Sequence, residues 1–165
     1  MRAGTLLFCI CIVPTLSYKI VETIGENGNV IEDGPYGGNG GSPWTDGGEV
    51  HLNGDISSVE VRSGSVVDSI RVKYGDVWGE NHGGGGGQVH SCDLNPGAKV
   101  IIVQGSSGSK LDELELITDD GVVFGPFGGS GGSTFVAIHP GCYLSYLSGS
   151  AGSVLDSITL HWECP

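Results

Sequence analysis

Three segments of this chain read almost alike: Gly64-Ser65-Val66-Val67-Asp68-Ser69-Ile70-Arg71-Val72, Gly108-Ser109-Lys110-Leu111-Asp112-Glu113-Leu114-Glu115-Leu116 and Gly152-Ser153-Val154-Leu155-Asp156-Ser157-Ile158-Thr159-Leu160. Their leading glycines stand 44 residues apart in both intervals. The register extends beyond these anchors. Asn95-Pro96-Gly97 matches His139-Pro140-Gly141, and Gly84-Gly85 matches Gly128-Gly129. A period of this length means one supersecondary unit packed against its own copies, because a single unit cannot bury its apolar face alone.

Each unit alternates in the manner of a strand. Ile70, Val72 and Tyr74 fall on one face, with Ser69, Arg71 and Lys73 on the other. Ile158, Leu160 and Trp162 repeat the pattern opposite Ser157, Thr159 and His161. Period-two alternation with one apolar face predicts half-buried antiparallel strands. Strand-like runs also precede each leading glycine, at Val59 to Val61, Val100 to Val103 and Tyr143 to Leu147, so each unit holds a hairpin. A second hairpin is expected from Val122 to Phe124 and from Thr134 to Ile138, on either side of the Gly128–Gly132 run, with Asp119-Asp120-Gly121 as a tight turn. About four strands per unit and three units predict an all-β, three-sided prism of antiparallel sheets with pseudo-threefold symmetry. The first unit is imperfect: its glycine run, Gly37-Gly38-Asn39-Gly40-Gly41, slips out of register. Strands from both chain ends are therefore expected to close one sheet, with the stretch around Ile20 to Ile24 pairing near Ile158 to Trp162.

Length and composition agree with this. The chain has 165 residues, 31 of them glycine, which suits one domain whose glycines serve turns. Only 16% of residues are charged, yet the formal net charge is −12. That balance speaks against nucleic acid, anionic lipid and sulfated glycans, all of which need clustered Lys and Arg. A neutral or cationic partner fits it better.

The N-terminus reads as an export signal over residues 1–17. Arg2 is its basic end, Leu6 through Val13 its apolar run, and Thr15 and Ser17 the small residues before a cleavage that leaves Tyr18 first. The folded domain is then 18–165, secreted and without a membrane-inserting segment. Cys9 and Cys11 depart with the signal. Cys142 and Cys164 flank a hairpin whose loop is expected near Ser150, which brings them opposite each other as a disulfide in an oxidising compartment. Cys92 is left buried and free, or linked to another chain.

The Gly-x-x-x-Asp loops carry the chemistry. A carboxylate accepts two hydrogen bonds in a plane, and neighbouring hydroxyls of a sugar ring are donors at a matching distance. Glycine beside it lets a ligand approach the main chain closely. An Asp at a strand entry can also simply cap a turn. The Gly152–Asp156 loop, the N-terminal Gly-Gly loop, Val123-Phe124-Gly125-Pro126-Phe127-Gly128-Gly129 and the ending Leu155-Asp156-Ser157-Ile158-Thr159-Leu160-His161-Trp162 together resemble jacalin-related lectins, in particular their secreted vertebrate type. The resemblance spans roughly residues 18 to 164. It implies a β-prism I fold of three four-stranded sheets, no enzymatic activity, no cofactor or metal, and binding of mannose- or glucose-type glycans.

By that resemblance Asp156 takes two sugar hydroxyls. Ser153, Val154 and Leu155 act through the backbone or line the loop, Gly152 allows its shape, and Gly38, with its neighbours in the Gly-rich loop 37–41, adds a main-chain contact. Asp68, with Gly64 and the Gly83–Gly87 run, Gly83 and Gly84 first, is a candidate second sugar site. The third copy, Asp112, is a weaker candidate site, because Lys110, Glu113 and Glu115 alter its surroundings. Trp162 and Trp78 could stack on a sugar, although Trp162 shares the core face of Ile158 and Leu160. Catalytic and metal patterns are missing from the sequence: no Gly-x-Ser-x-Gly elbow and no ligand spacing among His51, His82, His90, His139 and His161. The expected partners are glycans on glycoproteins or microbial surfaces, met by one chain or an oligomer. The alternative is a scaffolding protein of a secretory granule or mucus matrix, with its sugar loops idle.

Overall fold

The computed structural model describes residues 23–24 and 29–165, so the export signal and the stretch Ile20 to Glu22 lie outside the described residues. The chain first supplies three strands, β1 (Thr23–Ile24), β2 (Asn29–Gly37) and β3 (Ser42–Thr45). A 3-10 turn at Val50–Asn53 leads to β4 (Ile56–Ser63), β5 (Val67–Tyr74), β6 (Val77–Trp78), β7 (His82–Gly83) and β8 (Gln88–Asp93). Then follow β9 (Val100–Ser107), β10 (Leu111–Thr118), β11 (Val123–Gly128) and β12 (Ser133–Ile138). The chain ends on β13 (Tyr143–Ala151) and β14 (Leu155–Cys164). They form three antiparallel sheets, ordered β1-β2-β14-β13-β3, β6-β5-β4-β8 with β7 also on β5, and β11-β10-β9-β12.

The expected hairpin of each unit is present as β4–β5, β9–β10 and β13–β14. The expected second hairpin is not. β11 pairs with β10 and β12 with β9, so these two strands sit on opposite edges of their sheet. This is a Greek key: the glycine run between β11 and β12 crosses over the end of the central hairpin instead of turning back on itself. The sheet that joins both chain ends has the same order, but its two outer strands come from the N-terminus. Its partner for β14 is β2, with Ser157 opposite Gly37 and Cys164 opposite Asn29. That corrects the expected pairing of residues 20–24: β1 adds only to the outer edge of β2. Asp33-Gly34-Pro35 interrupts alternation inside β2, which hides it as a strand.

The three sheets bury their apolar faces on one axis. Ile70, Val72 and Tyr74, Leu111, Leu114 and Leu116, and Ile158, Leu160 and Trp162 are all at most 2% exposed. The turn of the last hairpin is Gly152 to Val154 rather than Ser150, which pairs with Ser157. Cys142 and Cys164 are joined as a disulfide, and Cys92 is free and buried, its thiol pushed up to about 11 by that burial and by Asp93.

The outer face of β14 is covered as well. Ser157, Thr159 and His161 are buried, where alternation alone predicts solvent. Tyr146 stacks on His161 at 4.1 Å, and His51 of the 3-10 turn lies against Tyr146. Burial lowers the His161 pKa, with Glu32 opposing the shift, and Ser148 Oγ lies 2.7 Å from its Nε2. The folded protein therefore holds this imidazole neutral where the unfolded chain, with a pKa of about 6.5, takes a proton. Stability from this group is complete above that value and is lost as pH falls below it. The urea midpoint is expected to fall from about pH 7 to about pH 5, and His161→Gln to flatten that fall. An unchanged slope in the variant would assign the pH dependence elsewhere.

Candidate functional site

Each hairpin turn ends in an aspartate, and each aspartate meets a crossing glycine run. The backbone fixes this meeting first. Gly38 N–H donates to the Asp156 carbonyl at 2.9 Å, Gly84 N–H to that of Asp68 at 3.0 Å, and Gly129 N–H to that of Asp112 at 2.9 Å. The preceding residues, Gly37, Gly83 and Gly128, have φ of +128°, +114° and +99°, which favours glycine. A Cβ there would also strike the same aspartate carbonyl.

The side-chain carboxylate is held two and three residues further on. A Cβ on Gly40, Gly86 or Gly131 would collide with Oδ1 of Asp156, Asp68 or Asp112. One on Gly41, Gly87 or Gly132 would lie 2.6, 2.6 or 2.7 Å from Oδ2. The leading glycines Gly152, Gly64 and Gly108 close the other side, with hypothetical Cβ atoms 3.5, 3.6 and 3.5 Å from the same oxygens. Thus each carboxylate rests in a cradle of three glycines. All three aspartates are half-buried, and none of their carboxylates accepts a hydrogen bond from the described residues. Turn-capping, the alternative role for such an Asp, would show bonds from nearby N–H groups. A half-buried acceptor without protein donors is instead left for water or a ligand.

The structure therefore brings Gly152 and Asp156 together with the run at 37–41, and Gly64 and Asp68 with Gly83 and Gly84. Within the first loop, Ser153 is exposed, Val154 is half-buried, and Leu155 is 0% exposed with its side chain in the core. The Gly38 N–H is engaged by the Asp156 carbonyl, so the glycines that face the carboxylate are Gly40 and Gly41. The sequence places Gly40 and Gly41 in the 37–41 run beside Asp156, and Gly86 and Gly87 in the 83–87 run beside Asp68, without separating them from Gly38 and Gly84; it does not single out Gly131 and Gly132. The repeat contained the signal, but with an offset. Gly83, not Gly84, is the counterpart of Gly128, so the glycine runs are 45 residues apart while the aspartates are 44 apart. A one-residue difference in the preceding loop is cancelled before Asn95 and His139.

The runs also touch the next loop around. A Cβ at Gly38 would strike the Ser109 carbonyl, one at Gly84 that of Ser153, and one at Gly129 would lie 2.6 Å from that of Ser65. The three turns and three runs thus interlock in a ring at one end of the prism. Trp78 lies elsewhere, under the Arg71 guanidinium at 5.1 Å, and Trp162 is fully buried.

Residues 33–161 match the family model of the jacalin-like lectin domain. Human zymogen granule membrane protein 16 is 36% identical over 48% of this chain and 51% of its own length, so the chain spans about half the length of the curated relatives it matches. Among solved structures, Malaysian banana lectin is 28% identical with a TM-score of 0.72, over 82% of this chain and 99% of that one. Artocarpin, solved in complex with mannotriose, is 25% identical with a TM-score of 0.73, over 84% of this chain and 99% of that one.

Proposed function

Because the chain belongs to the jacalin-like lectin family, we propose that it is a secreted lectin for mannose- or glucose-type glycans and that Asp156 is its principal sugar-binding residue. The observation that supports this most is the Asp156 carboxylate, half-buried between Gly40, Gly41 and Gly152 and without a hydrogen bond from the described residues. Its two oxygens take two adjacent hydroxyls of one sugar, as charge-assisted bonds. The missing side chains of the glycines leave room for the ring to approach the backbone. Ser153 and Val154 border the sugar from the turn, and the 37–41 run borders it from the other side. Asp68, in its own cradle, takes a second sugar in the same way.

The residues 1–17 serve export in this reading. No helix among the described residues is long and apolar enough to cross a membrane. The glycans are those of glycoproteins or of microbial surfaces. The scaffold alternative has no observation in its favour, since the one unpaired cysteine of the described residues is buried at 3% exposure.

A glycan array and a mannose titration followed by amide NMR test the proposal. The wild type is expected to bind mannose-terminated glycans, and Asp156→Ala to lose the shifts of Gly40, Gly41 and Gly152. Removing the charged acceptor should weaken that site by about 1–3 kcal/mol, roughly 5- to 150-fold. No glycan binding by the wild type, or the same shifts in the variant, would overturn it.

A further inference from the structure

The three sheets share one core pattern, but their outer faces are not alike. On the β9–β12 sheet the register sets four apolar residues side by side across all four strands. Val123 stands opposite Ile117, Ile117 opposite Ile102, and Ile102 opposite Ile138. Ile102 and Ile117 are half-buried, whereas Val123 and Ile138 are each 52% exposed, and Val136 beside them is 62% exposed. The same row carries charged and hydrogen-bonding residues elsewhere. In the β4–β8 sheet it runs Trp78, Lys73, Ser58 and Asp93, and in the sheet of the chain ends it holds Glu32, His161 and Tyr146. A contiguous apolar stripe on one face alone marks a contact surface, unlike apolar residues scattered singly over an exterior.

Charge says what the stripe would meet. Glu113 and Glu115 precede Ile117 on the same face of β10, and neither has an ion pair among the described residues. In the β4–β8 sheet the positions equivalent to Glu115 and Gln104 are Arg71 and Glu60, so opposite charges face each other there. Here Gln104 Nε2 gives Glu115 Oε1 one neutral donor at 2.6 Å, and no cation answers either carboxylate. Both glutamates line a groove of about 260 Å³ with Gln104, Pro126, Thr134 and Val136.

We propose that this face docks an extended cationic segment of a partner protein, with Lys or Arg on Glu113 and Glu115 and apolar side chains on the row Val123, Ile117, Ile102 and Ile138. The two glutamates are about 7 Å apart along β10, which is two residues of any extended chain. Ile117 is the next position on the same face, so a segment that alternates outward and inward meets two acids and then the stripe. The net charge of −12 draws such a segment in, and it repels a second copy of this chain, which carries the same charge. Ile117 stands five residues beyond Asp112, about 17 Å along the strand. The contact is therefore additional to the sugar loops, and it stands whether or not they hold sugar.

The test is an amide NMR titration with the synthetic peptide Lys-Ser-Lys-Ser-Val-Ser-Val and its analogue with glutamate in place of lysine. The lysine peptide should shift the amides of Ile102, Glu113, Glu115, Ile117 and Ile138, and the glutamate peptide should not. E113Q/E115Q should weaken the lysine peptide by roughly fivefold, as should added salt. V136S/I138S, at exposed positions, should also weaken it by roughly fivefold. D68N/D156N should bind it as the wild type does. Unmoved amides on this face, equal shifts with both peptides, or lost binding in D68N/D156N, which would put the peptide in the cradles, each overturn the proposal. So does a dimer of the free protein in sedimentation that V136S/I138S dissolves, since that assigns the face to a second copy.

Discussion

Trp162→Ala is expected to lower the unfolding free energy by about 3–5 kcal/mol, as truncation of a fully buried indole does. Trp162 is 0% exposed and stands at the end of the row Ile158, Leu160, Trp162 that β14 presents to the axis. His139 packs on its ring at 5.5 Å. The strand is the centre of its sheet, with β2 on one side and β13 on the other, and the disulfide at Cys164 lies two residues further on. The surrounding strands cannot collapse into the vacated volume without breaking register, so the cavity remains. Against a total stability of roughly 5–15 kcal/mol, such a loss leaves a marginal protein. Trp162→Phe should cost much less. The indole N–H is buried without an acceptor among the described residues, and phenylalanine removes that desolvated donor while it keeps most of the packing. Urea unfolding of both variants checks this. Equal losses would show that the N–H has a partner or that the volume collapses.

The parts of the fold that were legible in the sequence are those set by local alternation and by the repeat. Ile70, Val72 and Tyr74 declare a buried face because strand side chains alternate, and three copies of that face require an axis to share. Pairing between strands is another matter. Val122 to Phe124 and Thr134 to Ile138 read as strands, but nothing in either says that each pairs outward, on β10 and on β9. A glycine run serves a tight turn and a crossover equally well. β2 was hidden because Gly34 and Pro35 break its alternation. Ser157, Thr159 and His161 looked solvent-facing because their cover comes from Tyr146 and from the 3-10 turn, far away in sequence. In the site, the aspartates were legible from their spacing, whereas Gly40 and Gly41 were not distinguished from Gly38. All are glycine, and only the crossing geometry decides which N–H meets a carbonyl and which α-carbon meets a carboxylate.

Asp46 was invisible to sequence reasoning, and its removal is expected to be the other large effect. It is 2% exposed and follows directly on β3, in the sheet that joins the chain ends. Both its oxygens are engaged by the neighbouring sheet: Tyr74 Oη donates to Oδ2 at 2.8 Å, and His82 Nε2 lies 2.8 Å from Oδ1. The ring of Trp44 stacks on His82 at 3.8 Å and covers the cluster. Burial, then the Asp46 charge, pushes the Tyr74 hydroxyl far above its usual range, so it remains a donor. Asp46→Ala removes the acceptor and leaves the buried Tyr74 hydroxyl and the half-buried His82 imidazole unmatched. At about 1–3 kcal/mol for each, the loss should be about 2–6 kcal/mol. In a double-mutant cycle, adding Tyr74→Phe to Asp46→Ala should cost less than Tyr74→Phe costs in the wild type, because the hydroxyl no longer has a partner to lose. Strict additivity would show that the two side chains are not coupled. The same change reaches the proposed sugar site through the chain: β3 begins one residue after Gly41, so freeing its far end loosens the run that cradles Asp156. Mannose affinity at Asp156 should therefore fall in Asp46→Ala.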